Sequence, residues 1–406
     1  MNASAITDEI CIARQPIVDR GLNLIGYELL FRPAQCGAAG TSGDGATSQV
    51  LLNSFVEIGL ENLVAEHLAF VNITQSLLAS DRLTEIPSKQ LVLEILEDVV
   101  PDEVVVEAVA RLSDRGYRIA LDDFIYRPEL DPLIRIADII KFDVLQTPAG
   151  EVAGLITRLR EINPRLVFLA EKVETHEEFE RFAALGIEHF QGYFFARPRV
   201  LTGKTIKSNQ AVVLDLLARV HEPDITADAL ASLISSDVSL CHKMLRYINS
   251  PATGLRQEIS SIQQAVVLLG LSTIQNWVTL LAMSDLHGKP PVLLNTALVR
   301  ARCCELLARA AGLETPESYF MVGLLSVVDG LLDQPMEQVL EQLPLPEGFK
   351  LALLTGQGTQ GEALRCVMTA ERDTDETLRF QDLEPAEVSR SLVDAIHWSY
   401  EHTPLH

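Results

Sequence analysis

Ile139-Ile140-Lys141-Phe142-Asp143-Val144 is an apolar, β-rich run with two charges set two residues apart inside it. A strand points alternate side chains to opposite faces, so Lys141 and Asp143 share one face. A charge inside such a run is costly unless it is paired or bound to metal. Outward from it the pattern recurs. Leu91-Val92-Leu93-Glu94-Ile95-Leu96 encloses an acid, Ile119-Ala120-Leu121 ends in Asp122-Asp123, Val167-Phe168-Leu169-Ala170 ends in Glu171, and Asn72 sits between Val71 and Ile73.

Strands are expected at Leu68–Ile73, Gln90–Leu96, Arg118–Leu121, Ile139–Val144 and Leu166–Ala170, with a last one around Gly192–Phe195. Helical patterns such as Asp102–Arg115 and Glu151–Glu161 lie between them. The repeat of about 25–30 residues per strand and helix implies a parallel sheet, open or closed into a barrel. Acids at the ends of neighbouring parallel strands converge on one rim, where barrel enzymes collect their catalytic groups. They repel one another unless cations sit among them. Carboxylate and amide oxygens suit Mg²⁺, Mn²⁺ or Ca²⁺ rather than zinc. With a lysine able to orient or deprotonate water, this donor set suits phosphodiester hydrolysis by clustered metals.

The character changes near residue 200, where Arg197-Pro198-Arg199 to Gly203-Lys204 reads as a link. Beyond it helical spacing dominates: Asn209–His221, Thr226–Ser235, Asp237–Ile248, Ile262–Leu269, Thr273–Met283, Leu294–Ala311, Pro316–Leu332, Pro335–Gln342 and Ser389–Tyr400. Ala34–Ser48 and Glu371–Glu384 read as loops. The expected domains are 1–200, an α/β TIM-like barrel, and 201–406, all helical.

The chain has 406 residues and a net charge of −23, which argues against unaided binding to nucleic acid or an anionic membrane. Met1–Arg20 lacks the pattern of a signal peptide, and no run approaches a membrane span, so a cytoplasmic location is expected. Cys11, Cys36, Cys241, Cys303, Cys304 and Cys366 show no C-x-x-C pair and suggest neither a disulfide framework nor a zinc knuckle. Gly203-Lys204-Thr205 is not a P-loop, because Pro198 stands where the motif needs glycine. Trp277 and Trp398 lie in helical patterns and read as core or interface residues.

At these residues the first half resembles an EAL domain, a modified TIM barrel that binds and often hydrolyses cyclic di-GMP. The resemblance runs in order through Arg14-Gln15-Pro16-Ile17-Val18, Gly26-Tyr27-Glu28-Leu29-Leu30-Phe31-Arg32, Phe70-Val71-Asn72-Ile73 and Leu93-Glu94-Ile95-Leu96-Glu97. It continues through Leu121-Asp122-Asp123-Phe124, Ile140-Lys141-Phe142-Asp143, Ala170-Glu171-Lys172-Val173-Glu174-Thr175 and Gln191-Gly192-Tyr193-Phe194-Phe195-Ala196-Arg197-Pro198. Each motif is weak alone; their order is specific. The resemblance implies that Glu28, Asn72, Glu94 and Asp122 ligate a first metal, and that Asp122 and Asp123 hold a second. It implies that Lys141 positions or activates water, that Glu171 completes the rim, and that Glu97 braces the loop after Asp123. Arg32, Gln191 and Asp143 would be ligand contacts, and the metal would be Mg²⁺ or Mn²⁺. Two departures stand out: Ile125-Tyr126-Arg127-Pro128 replaces the family's glycine-rich loop, and Lys172 replaces a family glycine.

The second half resembles an HDOD domain, a helical relative of HD phosphohydrolases. The carriers are Ile234-Ser235-Ser236-Asp237-Val238-Ser239-Leu240, Leu245-Arg246-Tyr247-Ile248-Asn249-Ser250 and Gly323-Leu324-Leu325-Ser326-Val327-Val328-Asp329. Ser326 and Val327 stand where a catalytic relative has His-Asp, so this half is expected to be non-catalytic. The tandem resemblance implies a second-messenger signalling protein. One reading is a metal-dependent cyclic-di-GMP phosphodiesterase with the HDOD half as output or scaffold; another is a sensor or adaptor with a degenerate EAL half; a third is a generic interaction protein. Expected partners are cyclic di-GMP, a protein bound by the HDOD half, and a second copy of the chain as a homodimer. Neither direct nucleic-acid binding nor a membrane is expected.

Overall fold

The computed structural model describes residues 10–33, 59–78, 88–192, 194, 208–249, 259–284, 286, 289–371 and 378–402. They fall into two compact units: one within Met1–Phe195, Ala370–Thr377 and Pro385–Val393, the other within Ala196–Thr369, Leu378–Glu384 and Asp394–His406. The loop read at Ala34–Ser48 and the link at 197–204 lie outside the described residues. Among the described residues no helix is long and apolar enough to cross a membrane.

The strands of the first unit are β1 (Ile10–Asp19), β2 (Leu24–Pro33), β3 (Leu68–Ile73), β4 (Leu91–Ile95), β5 (Arg118–Leu121), β6 (Ile139–Asp143), β7 (Val167–Glu171) and β8 (His189–Gln191). They form a closed barrel in sequence order. From β2 to β8 neighbours run parallel, but β1 is antiparallel to both β2 and β8. The α/β periodicity alone pointed to an all-parallel sheet. β1 departs because only a tight turn joins it to β2: the Asp19 carboxylate accepts from the backbone N of Gly21 (2.7 Å) and Asn23 (2.9 Å), and Leu22 takes φ 61°. A short turn can join only antiparallel strands.

The barrel interior is layered. Ile17, Phe70, Val92, Ala120, Ile139 and Leu169 pack together as an apolar plug. Each of these side chains except Ala120, which has a single methyl, stabilises the fold by roughly 1.5–3 kcal/mol. Two residues further along the parallel strands, on the same face, stand Asn72, Glu94, Asp122, Lys141 and Glu171. On antiparallel β1 the same layer is reached two residues earlier, at Gln15. The period of two therefore stacks a polar layer directly on the plug, at the C-terminal end of the parallel strands.

The last strand lies at His189–Gln191 rather than around Gly192–Phe195. Gly192 ends it with φ 140°, and a Cβ there would come within 2.0 Å of the Val173 carbonyl oxygen. Connecting helices start on the capping residues the sequence offers. The Asp102 carboxylate accepts from Val105 N at the head of Glu103–Asp114, and Thr175 with Glu178 forms a capping box for His176–Ala184. A short helix at Asp131–Ile136, unread in the sequence, ends on Asn163, whose amide donates to the carbonyls of Ile134 (3.0 Å) and Ala137 (2.9 Å).

The second unit is helical in its described residues. Ser208–Val220, Ala227–Ser236, Val238–Ile248, Ile262–Leu269 and Leu271–Ser284 match the expected helices to within a few residues. Leu230, Ile234, Met244, Ile248, Ile262 and Val278 form a core among them. The helix expected over Pro316–Leu332 is two, Pro316–Leu325 and Val328–Leu332. The break falls at Ser326, whose hydroxyl turns back to the Gly323 carbonyl (2.7 Å), and at Val327, with φ −122°. Helices at Glu347–Thr355 and Gly358–Ala370 were not read from the sequence. Gly323 lets Pro316–Leu325 approach the long helix Pro291–Ala310: a Cβ would lie 2.5 Å from Ala301 N and the Arg300 carbonyl.

Candidate metal centre at the barrel mouth

Register brings the acids together. Glu28 on β2 lies opposite Gln15, Asn72 on β3 opposite Glu94 on β4, and Asp143 on β6 opposite Glu171 on β7. Asp122 follows β5, its backbone N bonded to the Ile95 carbonyl at 2.9 Å. Carboxylate oxygens of Glu28, Glu94 and Asp122 all lie within 4.8 Å of one another, a spacing that fits one metal ion.

Lys141 stands among them. Its Nζ lies 2.6 Å from Glu94 Oε1, 2.8 Å from Asp122 Oδ1, 2.8 Å from Glu171 Oε1 and 3.9 Å from Glu28 Oε1, and its side chain is fully buried. Burial alone would lower this ammonium's pKa. The surrounding Glu171, Glu28, Glu94 and Asp122 outweigh burial and raise it well above the usual lysine value. Burial, with the charges of Glu28 and Asp122, pushes the Glu94 carboxyl well above the ordinary range against the pull of Lys141. Glu171 is raised for the same reasons. One cation among four carboxylates leaves an excess of negative charge that protons or a further cation must offset.

The donor set suits a hard divalent ion. Among the described residues Asn72 Oδ1, Glu94 Oε2, which ion-pairs only through its other oxygen, and Asp123 Oδ1 are buried without a hydrogen-bond partner. All are oxygens, as Mg²⁺, Mn²⁺ and Ca²⁺ prefer. Gln191 on β8 donates to Gln15 Oε1 (2.6 Å) and to Glu28 Oε2, fixing the Glu28 carboxylate. Gln15 is a site residue that reading the sequence missed. The antiparallel register of β1 carries it into the polar layer, and no sequence signal marks that register.

Asp123 and Asp143 stand apart from that cluster, around Lys172. Lys172 Nζ lies 2.6 Å from Asp143 Oδ2 and 3.9 Å from Asp123 Oδ1. Burial would raise the Asp143 pKa, but the hydrogen bonds from Lys172 and Leu145 N outweigh it and hold the group below its usual value. Asp123 goes the other way, raised by burial against the Lys172 charge. The Glu97 carboxylate is exposed; its backbone carbonyl instead accepts from Arg127 Nη2 at 3.2 Å. The strand carries Arg32, but the Arg32 side chain lies outside the described residues.

The segment after Asp123 is fastened down. Phe124 N bonds the Lys141 carbonyl (3.0 Å), Tyr126 OH bonds Asp131 Oδ1 (3.1 Å), and Arg158 donates to Tyr126 OH (2.9 Å) while lying 4.0 Å over its ring. In the helical unit, Ser326 accepts from Arg300 Nη1 at 3.2 Å and Val327 is wholly buried. Trp277 and Trp398 line a pocket there with Tyr247, Arg302 and Phe320.

Comparison with known proteins agrees with this architecture. Residues 47–198 match the EAL domain and residues 206–337 match the HDOD domain. The chain is similar to the uncharacterized protein YuxH of Bacillus subtilis (strain 168), at 34% identity over 404 residues, covering 96% of this chain and 98% of the relative. It is similar to the cyclic di-GMP phosphodiesterase CdgJ of Vibrio cholerae serotype O1, at 33% identity over 400 residues, covering 96% and 92%. Among solved structures, the Klebsiella pneumoniae BlrP1 calcium/cy-diGMP complex aligns at 22% identity and a TM-score of 0.40, over 49% of this chain and 58% of that one. The PaMucR phosphodiesterase c-di-GMP complex aligns at 23% identity and a TM-score of 0.39, over 50% and 99%. With both domains matched in order and two relatives aligned over nearly their full lengths, the chain belongs to the family in which an EAL domain is followed by an HDOD domain.

Proposed function

We propose that the barrel mouth binds cyclic di-GMP and, with Mg²⁺ or Mn²⁺, hydrolyses one of its phosphodiester bonds to the linear dinucleotide. The observation that carries this reading is the convergence of Glu28, Glu94 and Asp122 within 4.8 Å, beside a buried ammonium. Asn72, Glu28, Glu94 and Asp122 would hold the ion. Bound there, a divalent cation supplies Lewis-acid polarisation of a phosphodiester oxygen and lowers the pKa of a water.

The protein's own groups have separable tasks. Lys141, surrounded by Glu94, Asp122 and Glu171, holds those carboxylates in place and would position the attacking water by charge and hydrogen bonding. Gln191 fixes the Glu28 carboxylate. Glu171, whose Oε1 lies 2.8 Å from Lys141 Nζ at the rim, would hold or orient a water there. Arg32 is assigned to a ligand phosphate. In this reading residues 1–200 carry the chemistry in the cytoplasm, while residues 201–406 have no catalytic role and bind a protein partner.

A second reading has its own support. The fastened segment Phe124–Pro128, pinned by Tyr126 and Arg158, favours a barrel that binds the dinucleotide as a sensor without turnover. The deciding experiment is incubation of the purified protein with cyclic di-GMP and Mn²⁺, with Lys141→Ala as control. Linear product from the parent alone supports the enzyme. Binding by calorimetry with no product supports the sensor, and no binding at all overturns both.

A further inference from the structure

The acids of the barrel mouth form two groups, each with its own lysine. Glu28, Glu94, Asp122 and Glu171 face Lys141, four carboxylates against one ammonium. Asp123 and Asp143 face Lys172, two against one. The first group retains an excess of three negative charges, the second an excess of one.

Lys172 is held where it stands by an unusual backbone. Its φ is 57°, and that of Asp123 across the mouth is 40°. A lysine in the left-handed region is strained where glycine would be relaxed. This conformation carries the side chain over the rim, so that Nζ bonds Asp143 and faces Asp123 Oδ1, an oxygen that is buried and has no hydrogen-bond partner among the described residues. Whichever Asp123 oxygen it used, an ion shared by Asp122 and Asp123 would lie close to this ammonium. It would sit against an ammonium of like charge that is held by Asp143 at 2.6 Å and is 49% exposed, so the repulsion is moderated by solvent but still opposes a second ion.

We propose that Lys172 acts as a built-in cation in place of a second metal, so that the barrel takes one divalent ion, on the Glu28–Glu94–Asp122 side. The inference rests on the metal site of the proposed function and goes beyond it by setting how many ions the site holds. It departs from the expectation that Asp122 and Asp123 share a second ion.

The test is a count of bound Mn²⁺ on the full chain, by calorimetry and by electron paramagnetic resonance, which separates an isolated ion from a spin-coupled pair. The parent protein and Lys172→Arg should bind one ion with an uncoupled signal. Lys172→Gly and Lys172→Met should bind two, the second at least about tenfold more tightly than any second ion in the parent. Two coupled ions in the parent, or one in both neutral variants, would overturn the role of Lys172 while leaving the metal site standing. No ion in any of the four proteins would overturn the metal site itself, and this inference with it. Should Lys172→Gly fail to fold, the count for Lys172→Met decides.

Discussion

Replacing Lys141 with methionine keeps the length of the side chain and removes the ammonium that, among the described residues, faces Glu28, Glu94, Asp122 and Glu171. At an effective dielectric of about 20, unit charges roughly 3 Å apart attract by about 5–6 kcal/mol. Desolvating the ammonium takes back much of that gain. The cost of the substitution is therefore set mainly by what is left behind: buried carboxylates with no counter-charge, typically about 3–5 kcal/mol. For a unit of barrel size this corresponds to a fall in Tm of roughly 6–20 °C. The loss should depend on pH with a definite sign. Glu94 and Glu171 already have raised pKa values, and without Lys141 these rise further. Over the range between their unfolded and folded pKa values the native state then binds more protons than the unfolded state, so the variant loses stability as pH rises above the ordinary carboxylate range. Adding Mn²⁺ at about 100 times its Kd should restore about 2.7 kcal/mol. Both tryptophans, Trp277 and Trp398, lie in helices of the HDOD half, so the barrel is better followed by far-ultraviolet circular dichroism and by hydrogen exchange at the amides of β6. A loss below about 1 kcal/mol at pH 8, or a variant that grows more stable with rising pH, would refute this account of the site.

Glu94→Gln keeps the shape of a fully buried side chain and removes its charge; calorimetry should show Mn²⁺ affinity reduced by about 10–100-fold, with no loss of barrel stability at pH 8. In the helical half two buried groups oppose each other in pH. Burial raises Asp329 to about 6, so its contribution falls as pH rises from about 4 to 6; burial lowers His221 to about 4, so its contribution falls as pH drops from about 6.5 to 4. His221→Gln should therefore expose a stability decrease of up to about 1.4 kcal/mol per pH unit on raising pH across that window, and Asp329→Asn the reverse slope, both measurable by urea unfolding followed by tryptophan fluorescence. Gly323→Ala places a methyl group 2.5 Å from the Ala301 amide and should cost about 1–3 kcal/mol in the same assay.

Much of the barrel is legible from local pattern. A strand of period two bounded by turns carries its own signal, and each of β3 to β7 was readable to within a residue or two because the apolar run is short and its ends are polar. Lys141 and Glu94 were conspicuous for the same reason: a charge inside an apolar run contradicts its surroundings and marks a site. The misread elements depend on contacts distant in sequence. Helix Asp131–Ile136 is too short to show periodicity and ends on Asn163 from another segment. The break between Leu325 and Val328 depends on Ser326 turning back on its own helix and receiving Arg300. Gln15 entered the site only through the pairing of β1 with β2 and β8.

From the order of its residues alone this chain declares a βα-repeat half carrying acids at its strand ends and a helical half, because alternation and helical spacing are local properties. Which acids lie close enough together to hold an ion, and which face a lysine, was decided only by closure of the barrel. Coulomb interaction depends on distances across the mouth, and these follow from strand register and from the left-handed turns at Asp123 and Lys172, none of which a linear pattern encodes.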